Sequence, residues 1–183
     1  MFSAPQIPFE PAEQSLLIVD DNENTQRIFE IILRSWGIKE LRMAGDGGEA
    51  LEVLQSWVPN LIITDWNMKP MGGQMFLSEL RKVENGDLGK MPVLVVTAHS
   101  SGPVVHAVLA AGANQIIVKP IVPKVLYSRI VWTLQDSRPF TESGGRYVLP
   151  SFQRSSSSNK NQSVEKAYDA SFKDSDEESW LVD

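Results

Sequence analysis

The sequence predicts a doubly wound α/β sandwich, in which helices cover both faces of a parallel five-stranded sheet. Three observations predict it. Five short runs of aliphatic and β-branched residues recur between residues 15 and 136, and three of them are continuously apolar, as in strands covered on both sides. Between the runs lie segments whose apolar residues return every three or four positions, the period of a helix with one buried stripe. The two textures alternate, strand then helix, five times over with short connections, which leaves parallel strands joined by right-handed crossovers.

The elements follow in order. The first strand is Leu16–Asp20, and Ile28, Ile31, Ile32 and Trp36 mark the helix after it, stopped by Gly37. Leu41–Ala44 is the second strand, followed by a helix marked by Ala50, Val53, Leu54 and Trp57. Leu61–Asp65 is the third, with Phe76, Leu77, Leu80 and Val83 in its helix. Val93–Thr97 is the fourth, with Val104, Val105, Val108 and Leu109 ahead of the stop at Gly112. Gln115–Val118 is the fifth, and Val125, Leu126, Ile130, Val131 and Leu134 line the last helix.

Outside residues 14–136 the composition changes. Residues 1–13 carry Pro5, Pro8 and Pro11 and little periodicity, and read as an extended arm. Residues 137–183 contain Gly144-Gly145, Pro150, the run Ser155 to Ser158 and the acidic end KDSDEESWLVD. They read as a low-complexity, mostly disordered tail with a short helix around 163–172. The 183 residues are thus expected to hold one domain with an arm and a tail.

Composition also removes whole classes of chemistry. Cysteine is absent and there are two histidines, His99 and His106, so disulfides, thiolate zinc sites, iron–sulfur clusters and cysteine nucleophiles are excluded. The formal charge of −6 argues against binding a nucleic-acid backbone. No apolar run approaches the roughly 18 residues of a bilayer span, and the N-terminus lacks the basic and apolar regions of a signal peptide. A cytoplasmic protein without membrane contact is the expectation. Gly45-Asp46-Gly47-Gly48 lacks the spacing of a dinucleotide fingerprint and reads as a turn.

In doubly wound sheets, ligands sit outside the carboxyl ends of the strands. There the sequence places Asp20-Asp21 after the first strand, Asp65 and then Asn67 after the third, Thr97-Ala98 after the fourth, and Lys119-Pro120 after the fifth. Three carboxylates on one rim repel, so a proton is retained or a cation neutralises them. Carboxylate and carbonyl oxygens suit Mg²⁺, which keeps several waters and needs few protein ligands. One lysine supplies a point charge for an anionic group, and a threonine hydroxyl can donate to the same anion. The chemical reading is a carboxylate, Asp65, that becomes an acyl phosphate.

The segments LLIVDDNENTQRI, LIITDWNMKPMGG, MPVLVVTAHS and AGANQIIVKPI, in this order and each at a strand end, resemble the receiver domain of two-component response regulators. The resemblance covers about 120 residues, one domain. It implies the strand order 2-1-3-4-5 of CheY and the flavodoxin-like folds. It also implies Asp65 as phosphoacceptor, Asp21 as direct Mg²⁺ ligand with Asp20 as its water-bridged neighbour, and Asn67 lending a backbone carbonyl to the metal. Thr97 matches the switch hydroxyl, the Ala98 N–H a phosphoryl contact, and Lys119 the phosphate-pairing lysine with Pro120 on a cis bond. The implied phosphodonor is a sensor histidine kinase or a phosphotransfer protein. The implied output is a signalling switch, with no enzyme turnover beyond slow self-phosphorylation and self-dephosphorylation. A downstream protein would read the face of the fourth helix, fifth strand and fifth helix, and the chain would be a monomer or weak dimer.

Other readings stand beside this one. Asp20-Asp21 also suits a helix N-cap, and His99 is either a tuner of water access to the acyl phosphate or a polar residue at a helix start. Ser155 to Ser158 is a phosphosite cluster or a solvated linker, and Trp180-Leu181 a docking peptide or a frayed end. Ile116 stands where many receivers carry a switching aromatic, which opens the alternative of a phosphorylation-independent pseudo-receiver scaffold. An aspartyl-nucleophile phosphatase is the enzyme alternative, but Asn67 occupies the place of its general acid.

Overall fold

In the computed structural model, which describes residues 9–150, five parallel strands alternate with five helices. They are β1 (Ser15–Val19), α1 (Glu23–Ser35), β2 (Glu40–Ala44), α2 (Gly47–Leu54), β3 (Leu61–Asp65), α3 (Gly73–Leu80), β4 (Val93–Thr97), α4 (Gly102–Ala110), β5 (Gln115–Val118) and α5 (Pro123–Leu134). A 3₁₀ stretch, Val83–Lys90, joins α3 to β4. The sheet order is β2-β1-β3-β4-β5, and every neighbouring pair is parallel. The protein is therefore a doubly wound flavodoxin-like sandwich, as the alternation requires.

Strand alternation divides the apolar residues between two cores. Leu16, Ile18, Leu61, Ile63, Leu94, Val96 and Ile117 cluster with Phe29 and Leu33 of α1 and with Leu126 and Ile130 of α5. The alternate strand residues, Leu17, Ile62, Val95 and Ile116 among them, are equally buried, as are Ala50, Leu54, Phe76, Leu77 and Val108 of α2, α3 and α4. The helical stripe expected in α1 is corrected here. Phe29 and Leu33 are buried, whereas Ile28 and Ile31 are 49% and 61% exposed. Of the expected stripe, Ile32 and Trp36 do pack against the core, beside Phe29 and Leu33, so the buried arc runs along 29, 32, 33 and 36. Asn22, and not Asp20 or Asp21, caps the helix, its side chain accepting from Asn24 and Thr25 N–H.

Order continues beyond residue 136. Thr141–Ser143 (β6) and Arg146–Val148 (β7) form an antiparallel hairpin where the sequence was read as tail. Gly144 and Gly145, read there as breakers, hold φ of 58° and 76° and so supply the left-handed two-residue turn that a tight hairpin needs. The hairpin lies against the chain after α3. Tyr147 N–H donates to Arg81 O at 2.7 Å, Val83 N–H donates to Gly145 O at 3.0 Å, and Tyr147 is buried. The end of the arm is likewise seated, with Phe9 edge-on to Tyr127, which is in turn edge-on to Trp36. Residues 1–8 and 151–183, with the expected helix at 163–172, the serine run and Trp180-Leu181, lie outside the described residues.

A buried polar network joins the amino end of the sheet to this hairpin. Arg81, 1% exposed, donates to Gly112 O twice (3.0 and 2.8 Å), to Gly89 O (2.9 Å) and to Met91 O (2.8 Å). Burial pulls its guanidinium down to about 9, which leaves it cationic at neutral pH. Asn114 accepts from Val93 N–H at 2.9 Å and donates to Asp136 at 2.9 Å, and Arg138 closes on Asp136 at 2.7 Å. Desolvation alone would raise the Asp136 carboxyl, but the hydrogen bonds from Arg138 and Asn114 outweigh it and hold the carboxyl below its ordinary value.

A folded value below the unfolded one means that Asp136 stabilises the fold above the unfolded value, and that this contribution fades as pH falls through the folded value. Asp136→Asn is therefore expected to cost about 1–3 kcal/mol near neutral pH, measured by urea unfolding. The difference from wild type should shrink below about pH 4.

Candidate functional site

The strand order sets the site. β1, β3, β4 and β5 are consecutive neighbours, so the residues that leave their carboxyl ends share one edge. Asp20 follows β1 and is 2% exposed, Asp65 closes β3 at 6%, and Thr97 closes β4 at 0%. Lys119 follows β5, its N–H donates to Thr97 O at 2.8 Å, and its peptide bond to Pro120 is cis. The Lys119 ammonium stands 2.8 Å from Asp65 Oδ1 and 3.2 Å from Asp20 Oδ2. One cation thus bridges two buried carboxylates that come from the first and third strands.

The remaining oxygens are held by main-chain donors. Asn67 N–H donates to Asp65 Oδ2 at 2.8 Å, and Asn22 N–H to Asp20 Oδ1 at 2.9 Å. Asp21 is exposed, and its Oδ2 accepts from Lys69 N–H at 3.2 Å. Thr97 Oγ1 accepts from His99 N–H at 3.1 Å. Asn67, Ala98 and His99 all lie exposed at the rim, and His106 is exposed on α4. Gln26 was missed by the sequence reading. Its amide donates to Asp20 O at 2.7 Å and Ala44 O at 3.1 Å, tying α1 to the ends of two strands. Its place one turn inside α1, after an Asp pair, was the available signal.

Electrostatics follow from this packing. Burial works hardest on Lys119 and would lower its ammonium. The hydrogen bond and charge of Asp65, followed by those of Asp20, outweigh burial and raise it, so the group stays cationic. Asp20 is raised, chiefly by burial, with the nearby Asp65 charge adding to the effect and the Asn22 and Lys119 contacts opposing it. Two buried carboxylates share one ammonium, and the exposed Asp21 follows Asp20 in the chain, a negative surplus that a small hard cation would offset. Among the described residues, no three acidic or histidine side chains are gathered closely enough to cage an ion alone. That donor set fits a cation that takes two or three protein oxygens and keeps its waters, and does not fit one needing a closed cage.

Close approach behind the site depends on Gly73. A Cβ there would stand 2.5 Å from Asp65 O and 3.1 Å from Trp66 Cα, so only a glycine lets α3 begin directly behind the phosphoacceptor candidate.

The fold and this edge define a class, and comparison with known proteins agrees. The family model for the response regulator receiver domain matches residues 16–131. The chain belongs to that family. It is 37% identical over 115 residues to the chemotaxis protein CheY of Pseudomonas aeruginosa, covering 63% of this chain and 91% of that one. It is 34% identical over 134 residues to the transcriptional regulatory protein GlrR of Escherichia coli, covering 73% of this chain but 29% of that longer protein. Among solved structures, Vibrio cholerae chemotaxis protein CheY4 aligns with a TM-score of 0.58 at 30% identity, over 64% of this chain and 95% of that one. The signal receiver domain of a Syntrophus aciditrophicus signal transduction histidine kinase aligns with a TM-score of 0.61 at 31% identity, over 71% and 96%.

Gly73→Ala forces backbone or α3 to shift and is expected to cost about 1–3 kcal/mol. Urea unfolding measures the loss, and the same variant should weaken the Lys119–Asp65 contact, read as a change in the Lys119 ammonium titration by NMR.

Proposed function

We propose that this chain is a phosphorylation-driven switch that takes a phosphoryl group on Asp65 and signals through protein partners. The observation that carries the reading is the Lys119 ammonium bridging Asp65 and Asp20 at the carboxyl edge, with Thr97 buried at the end of the neighbouring strand β4. Asp65 is a carboxylate held by two donors, one on each oxygen, and so is oriented before any donor arrives. An Asp65 oxygen forms the new bond to phosphorus as the bond from phosphorus to the donor nitrogen or oxygen breaks, and the leaving group keeps the electron pair. Lys119 would neutralise charge on the transferred group, and the N–H of Ala98, a residue exposed at the rim, would donate to it. Asp21, Asp65 and the Asn67 carbonyl would hold Mg²⁺, with Asp20 acting through water. When bound, the ion supplies charge neutralisation at the transferring oxygens. The Thr97 hydroxyl, now accepting from His99 N–H, would turn to donate to the phosphoryl oxygen.

The phosphodonor on this reading is a sensor histidine kinase or a phosphotransfer protein, and the chain itself does not turn over substrate. The α4, β5 and α5 side, where Leu109 and Val122 are exposed, is the surface for a downstream protein. Ile116 is buried at 3% and brings no ring to that surface, so the readout there would rest on the backbone of α4.

Incubation with acetyl phosphate and Mg²⁺ is expected to add one phosphoryl group, seen by intact mass, and to change Trp66 emission. Asp65→Asn should take up none. Asp21→Ala should weaken Mg²⁺ binding by about tenfold or more. Thr97→Ala should still be labelled but lose the emission change. A wild-type protein that gains no mass would sink the proposal and leave the scaffold reading; sustained release of phosphate from a generic ester would favour the phosphatase.

A further inference from the structure

We propose that the β6–β7 hairpin is a latch on the far end of α4 whose seating is coupled to the state of Asp65, making the hairpin an output element of this receiver. The inference rests on the receiver reading and adds a route that the reading does not contain. A groove of about 950 Å³ runs between α3 and α4. Asp21, Asn67 and Lys69 line it at the phosphoacceptor edge, and Arg146, Tyr147 and Val148 line it at the hairpin. The two places therefore share one continuous cleft, and α4 is one of its walls.

Both ends of α4 are tied. Before its first turn, His99 N–H is held by the hydroxyl of Thr97, the group expected to follow the phosphoryl oxygen. After its last turn, Gly112 O receives two N–H groups of the Arg81 guanidinium. Arg81 is also the hairpin's anchor. Its carbonyl accepts Tyr147 N–H, and its guanidinium lies 4.7 Å from the centre of the Phe140 ring, which is itself edge-on to Tyr147. The guanidinium is a planar fork with fixed donor directions, pinned from another side by the carbonyls of Gly89 and Met91. It cannot follow α4 by bending.

A hydroxyl that turns from His99 N–H to a phosphoryl oxygen releases the loop before α4. A nine-residue helix carries that displacement to Gly112 as a rigid body. The Arg81 seam then has two discrete arrangements, hairpin seated or hairpin loosened, and packed interfaces are bistable in this way and do not deform continuously. Coupling is reciprocal, so loosening the hairpin must favour the activated site by the same factor by which activation loosens the hairpin.

The test uses the full chain with Mg²⁺ and beryllofluoride as the acyl-phosphate mimic. Two amide protons report the seam, those of Tyr147 and Val83. Their hydrogen exchange in wild type is expected to quicken about fivefold or more on beryllofluoride binding, with no change in Asp65→Asn. Tyr147→Ala should bind beryllofluoride more tightly by the same factor, by Trp66 titration, while Tyr147→Phe, which keeps the ring, should match wild type. Binding with unchanged exchange at both amides, or Tyr147→Ala with wild-type affinity, overturns the latch and leaves the receiver reading intact. A wild type that binds no beryllofluoride overturns both.

Discussion

The Lys119 ammonium lies between two buried carboxylates, and the carboxyl edge of the sheet is organised around that contact. Asp20 and Asp65 come from the ends of β1 and β3, which are adjacent strands, so the fold brings like charges together inside an apolar sandwich. Such a pair is unfavourable unless a cation answers it. The answer comes from β5, two strands away from β3, and only a long side chain that leaves its strand end can reach. The register that sets Thr97 opposite Val118 fixes how far along the edge Lys119 emerges. Each of these conditions is met by backbone geometry, and the same geometry leaves a negative surplus suited to a hard divalent ion.

A second constraint governs the opposite end of the sheet. Arg81 is a buried cation with no carboxylate in contact among the described residues, and three carbonyls from two separate segments, Gly89 and Met91 in one and Gly112 in the other, accept its protons. A guanidinium so placed stabilises only when every donor is used, because an orphaned donor in the interior costs more than a made bond returns. The 3₁₀ stretch meets part of that demand through Gly89 O, and the hairpin joins the same residue at its main chain, where Tyr147 N–H donates to Arg81 O. The receiver thus has one edge where two carboxylates share a single ammonium, and an opposite edge where a buried guanidinium is answered by the chain.

Much of the molecule was legible in its residues. The three continuous apolar runs gave three buried strands because a strand covered on both faces cannot carry polar alternation. Asp65, Thr97 and Lys119 were found because strand ends in such sheets converge on one rim. The α1 stripe is half right: Ile32 and Trp36 pack on the core, but Ile28 and Ile31 face out, because apolar residues crowded at 28, 29, 31, 32 and 33 do not state which arc faces inward and the packing of Phe29 and Leu33 decides it. The hairpin was misread because Gly144-Gly145 is a breaker in one context and a tight turn in another, and its flanking strands are three residues each, too short to show a period.

By itself the sequence determined the alternation of strands and helices, the residue types at the strand ends and the family they announce. Those properties are local: they depend on the order and spacing of residue types. Only the tertiary structure decided that Lys119 contacts both Asp65 and Asp20, that Thr97 holds His99 N–H, and that Arg81 binds the end of α4 to a hairpin outside the expected domain boundary. Apart from the local Thr97–His99 turn, these contacts join residues tens of positions apart, and their geometry is set by sheet register and helix placement, quantities that no short stretch of sequence contains.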